Sequence, residues 1–129
     1  MRKGGFIIIL FFALSSFAYG QRSQGMDCSV LKKYKLQYLS IQDTSAYIRL
    51  SNDSLEEFHN NGKYSIMAKL DWTNDCEYDM ILSSVNIPNF PYRPGDVMHV
   101  MVEKIENDIV YYISTINGNS WEGRLRVLK

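Results

Sequence analysis

The chain is short of the residues on which catalysis and metal binding most often rest. It has two histidines and two cysteines, and neither pair is spaced as a site. No CxxC or HxxxH pattern is present, so a zinc centre has no ligand set. His59 and His99 stand alone and no GxSxG elbow occurs, so no nucleophile comes with a base and an orienting group. Glycine-rich phosphate loops and EF-hand spacings are also missing. Charge of one sign is lacking too, with 14 basic residues balancing 14 acidic ones. Without a basic surplus to neutralise phosphates, nucleic-acid binding is not expected.

The one long apolar run is at the start. Phe6 to Leu14 is unbroken, Arg2 and Lys3 precede it, and Ala18-Tyr19-Gly20 follows. A positive n-region, a short apolar core and small residues at −3 and −1 make residues 1–20 a signal peptide cleaved before Gln21. The run is too short to span a bilayer, which takes about 20 residues, so the mature chain has no transmembrane segment. The expected location is the periplasm or the extracellular space. Residues 21–27 are polar and read as a disordered lead-in, leaving 28–129 as one domain.

Both cysteines, Cys28 and Cys76, lie in the mature part. An even count in an exported chain favours a disulfide between them. Two buried free thiols or half of a metal site are the rival readings, the second weakened by the missing ligand spacing. Gln24-Gly25-Met26-Asp27 lacks the small residues that precede a lipid-modified cysteine.

From Tyr34 onward the pattern is strand after strand, divided by turn residues. Alternation marks strands over Tyr34–Ser40, Ala46–Ser51, Leu55–His59, Lys63–Thr73, Cys76–Ser84, Val97–Ile105, Ile109–Ile116 and Ser120–Leu128. The clearest is Lys63–Thr73, where Tyr64, Ile66, Ala68, Leu70 and Trp72 share one face. Asn60-Asn61-Gly62, Asn107-Asp108 and Asn117-Gly118 supply residues that tolerate positive φ. Pro88, Pro91 and Pro94 make 86–95 a loop. Val30 to Tyr34 could form one helical turn. The fold expected is all-β, an antiparallel meander of about eight strands closing as an up-and-down barrel, with a two-layer sandwich as the alternative.

The segment Trp72-Thr-Asn-Asp-Cys76-Glu-Tyr78 lies after an N-terminal cysteine and before the Pro94-Gly95-Asp96 turn. It resembles a family of small exported proteins from Bacteroidetes-type bacteria with a Trp-x-x-Asp-Cys-x-Tyr core. The resemblance implies a compartment and a compact β fold, and no mechanism. In structural terms, Trp72 and Tyr78 packing beside a disulfide would make a corner, with Asp75 helping the turn.

Paired carboxylates could serve a glycosidase, and Glu56-Glu57 or Glu77 with Asp79 are the candidates. Glu77 and Asp79 share the face opposite the apolar one, where solvated charge is the ordinary explanation. No catalysis, cofactor or metal is therefore expected. Asn52-Asp53-Ser54 matches a glycosylation acceptor, although a turn already accounts for it.

Aromatic residues are the one hint of binding. Tyr111 and Tyr112 in one strand point to opposite faces, and Phe90 and Tyr92 sit in the proline loop. Phe90, Tyr92 and Tyr112 are thus the candidate contacts for a ligand or partner. Two functions follow. One is a barrel holding a small apolar ligand with the 86–95 loop at its mouth; Trp72, Tyr64 and Trp121 all pointing inward would fill that space. The other is a protein-interaction or envelope-associated module that presents the aromatic loop outward. In that case the loop is a contact patch; folded back, it plugs the barrel end.

Overall fold

A computed structural model describes residues 26–129. The expected signal peptide and most of the polar lead-in lie outside the described residues. The described residues form one short helix, α1 (Val30–Lys33), and eight strands: β1 (Lys35–Tyr38), β2 (Tyr47–Leu50), β3 (Ser54–His59), β4 (Tyr64–Asn74), β5 (Glu77–Val85), β6 (Val97–Glu106), β7 (Ile109–Ile116) and β8 (Asn119–Leu128). They pair in sequence order, all antiparallel, and β8 returns to β1 to close the barrel. This is the up-and-down barrel rather than the sandwich. Closure leaves no edge unpaired among the described strands, which matters for a domain built mainly of strands.

Local chemistry explains the corners. Asn60, Asn61 and Gly62 hold φ of 51°, 55° and 85°, and Asn107-Asp108 and Asn117-Gly118 are likewise left-handed. Positive φ at both central residues matches the twist of the strands they join. The turn between β4 and β5 is held differently from expectation. The Asn74 side-chain oxygen accepts from the Cys76 amide at 2.8 Å, and Asp75 is exposed.

Alternation decides what is inside. Leu36, Ile48, Leu50, Leu55, Ile66, Ala68, Leu70, Val100, Val110 and Leu125 are buried and form one core. At the lower end, α1 lies across the opening and sets Leu31, 1% exposed, beneath the core. Cys28 bonds Cys76 with Cα atoms 5.4 Å apart, tying the entering chain to the β4–β5 corner. Trp72 packs against Tyr78 with ring centroids 4.8 Å apart, and its indole N–H donates to the Ser51 carbonyl at 3.1 Å. Lys32 covers the outer face of that indole at 4.2 Å. Trp72, Cys76 and Tyr78 together therefore make a structural corner that shuts the lower end. No helix among the described residues is long and apolar enough to cross a membrane.

Candidate functional site

The upper end is built from the turns at 39–46, 60–63 and 117–118 and from the 86–96 loop. That loop is pinned where it leaves and rejoins the barrel. Ser65 donates its amide to Asn86 Oδ1 at 2.7 Å, Gly95 donates to the Leu82 carbonyl at 2.7 Å, and Arg93 donates to Asp96 Oδ2 at 2.9 Å. Between these anchors the loop turns inward. Phe90 and Tyr92 are half-buried, meet edge to face at 5.9 Å, and pack on the core. The aromatic loop roofs the barrel and does not stand out as an exposed patch.

Beneath this roof the interior is not full. A cavity of about 230 Å³ is bounded by residues from all eight strands and by Leu31, Phe90 and Tyr92. The three bulky side chains that could have filled it do not. Trp72 belongs to the lower corner and Tyr64 is not among the lining residues, while Trp121 sits at the rim, 38% exposed. All three candidate contacts, Phe90, Tyr92 and Tyr112, line the cavity. Tyr112 points in while its neighbour Tyr111 points out under Lys104, 4.5 Å from the ring centroid.

Space for the Tyr112 ring comes from its cross-strand partner. Tyr112 faces Gly123 in the β7–β8 ladder. A Cβ on Gly123 would lie 2.3 Å from the Tyr112 Cζ and hydroxyl oxygen. The glycine is thus required for close approach rather than for a turn.

The cavity wall is largely apolar, broken by tyrosine hydroxyls, Ser114 and one carboxylate. Glu57 on β3 shares the inward face with Leu55 and is 5% exposed. It accepts from the Tyr38 hydroxyl at 2.8 Å through Oε1 and from His59 Nε2 at 2.6 Å through Oε2. Tyr78 and Tyr112 also reach the interior, and their hydroxyls make no hydrogen bond among the described residues. Burial raises the phenols, Glu57 raises them further, and Tyr112 is pushed up to about 12. They therefore stay neutral donors through the physiological range. His59 is held above its usual value, chiefly by the bond to Glu57 and against burial.

The other histidine belongs to a separate cluster on the outer wall. His99 lies between Asp79, 2.7 Å from Nδ1, and Glu77, 2.6 Å from Nε2. Glu77 and Asp79 do occupy the outward face, where they stay partly exposed and also grip a histidine. Among the described residues no cluster of His, Cys, Asp and Glu is arranged to hold a metal ion.

Glu56 and Glu57 do not act as a carboxylate pair, because a strand splits adjacent residues between its two faces. The signal that marks Glu57 in the sequence is its period: Leu55, Glu57 and His59 share a face, so an acid occupies an inward position. Searches of protein-family models, curated proteins and solved structures find no match to this chain.

Proposed function

We propose that this protein is a non-catalytic exported carrier that holds one small, largely apolar ligand inside its barrel. The observation that carries the reading is the cavity of about 230 Å³ between a sealed lower end and an aromatic roof. An apolar protein cavity of about 150 Å³ already admits benzene, so a single ring with a short arm is the appropriate size. Eight strands leave an interior just wide enough for one such ligand. The disulfide and the resemblance of the Trp72–Tyr78 segment to small exported bacterial proteins support the compartment. The interaction-module alternative loses its best argument, because Phe90 and Tyr92 face the cavity.

Native mass spectrometry of protein from an oxidised, exported source tests the reading, together with calorimetric titration by 2-phenylethanol and toluene. A non-covalent adduct that leaves on denaturation, or saturable one-to-one binding of either probe, is the expected result. A clean apo mass together with no heat from either probe would overturn the carrier.

A further inference from the structure

Resting on the carrier reading, we infer that the barrel's ligand is a small arylalkylamine whose ammonium pairs with Glu57, and that His59 controls its release. The charge of the lining points to a cation. Among the described residues that line the cavity, Glu57 is the only one with an ordinarily charged side chain, and none is a lysine or arginine. A carboxylate ligand, such as a fatty acid, would meet like charge in a poorly hydrated space. A neutral hydrocarbon would leave the Tyr78 and Tyr112 hydroxyls without a partner and the remaining acceptor positions of Glu57 unused. An ammonium suits all of them.

A carboxylate offers about four acceptor positions. Tyr38 and His59 occupy two, so the remaining ones can take N–H donors from the ligand. Tyr38, Tyr78 and Tyr112 line the same cavity, and phenol faces attract a cation within about 6 Å. The apolar part of the ligand would lie among Ile48, Ile66, Met80 and Val100, which also line the space. Burying an ammonium is costly alone, but the carboxylate here has already been desolvated by the fold.

His59 sets the sign of the pH response. Its neighbours are Glu57 on the same strand, Asp43 in the turn after β1, the Tyr38 ring stacked at 6.4 Å, and Tyr64, its register partner on β4. Asp43 is held below the usual carboxylate range by bonds from Ser45 and Asn60, so its charge is constant above mild acid. Tyr38 stays neutral throughout. The variable charge is His59 itself. Protonated, it cancels Glu57 and leaves nothing for a second cation. Neutral, it donates one hydrogen bond and leaves a net negative site. An alkylammonium keeps its proton across this range, so affinity for it rises as pH climbs through the raised value of His59 and falls on acidification.

Paired titrations with 2-phenylethylamine and its neutral isostere 2-phenylethanol test the inference. At about pH 8.5 the amine should bind wild-type protein about tenfold or more tightly than the alcohol, and near pH 5 that preference should disappear while alcohol binding stays level. Glu57→Gln should abolish the preference at both pH values and spare the alcohol. His59→Asn, which cannot titrate, should keep the preference at low pH. An alcohol that binds wild type as well as the amine at high pH overturns the inference and leaves the carrier standing, as does failure of amine and alcohol while toluene binds; failure of all three together with a clean apo mass overturns the carrier itself. Should Glu57→Gln not fold, the wild-type ratio against pH decides alone.

Discussion

At the scale of single residues, an absence of side chain has as much effect as any side chain. Gly123 has room for no Cβ because the Tyr112 ring lies over it. Gly123→Ala should force that ring from its place and destabilise the fold by about 1–3 kcal/mol, as overpacking does. Urea denaturation checks this, and the same substitution in a Tyr112→Leu background should cost much less. Strict additivity of the two changes would show that the ring is not what the methyl meets. Tyr112 could be singled out from the Tyr111-Tyr112 pair, since one of two adjacent rings must face inward. Gly123 could not. Nothing local marks it, because the reason for the glycine sits on the neighbouring strand. Glu57 lies between these cases: its period was readable, but its meaning depends on Tyr38 and His59, which other turns of the chain bring to it.

Among elements, the strands were the most legible part of the molecule. Alternation placed β7 at its observed bounds and brought β4, β5 and β8 within a residue at each end. Where it overreached, a neighbour had claimed the residue. Tyr34 does not open β1, because its amide closes α1 on the Val30 carbonyl at 3.3 Å. The proline loop was legible as a loop only. Its direction depends on anchors at Leu82 and at Ser65, the latter 21 residues before its partner Asn86. That direction has a kinetic consequence. Phe90→Ser with Tyr92→Ser should speed ligand dissociation by about tenfold or more and cost about 1–2 kcal/mol of stability, since both rings are only half-buried. Exchange measurements with 2-phenylethanol check it, and an unchanged off-rate would mean the ligand enters elsewhere.

For the whole molecule, two closures set the stability. One is covalent. Cys28 and Cys76 are 48 residues apart, and cross-linking a loop of that length stabilises by about 4 kcal/mol on the chain-entropy model. Unfolded, unreduced protein should therefore offer no free thiol, and reduction should lower the melting temperature; thiol titration and calorimetry read both. An unchanged melting temperature would mean that the lower corner holds without its bond. The other closure is the seam. β1 pairs with β8 from Lys35 opposite Leu128 to Tyr38 opposite Leu125, joining the two ends of the domain.

That seam imposes an order of events on a chain emerging N-terminus first from a ribosome or a pore. The Cys28–Cys76 bond can form once the first half is out, with β1 still waiting. Until Leu128 arrives, β1 and β7 both present bare edges, and the cavity has no eighth wall. The half-made protein is then a curved, sticky sheet open to other chains. Only the ten residues of β8 turn it into a vessel.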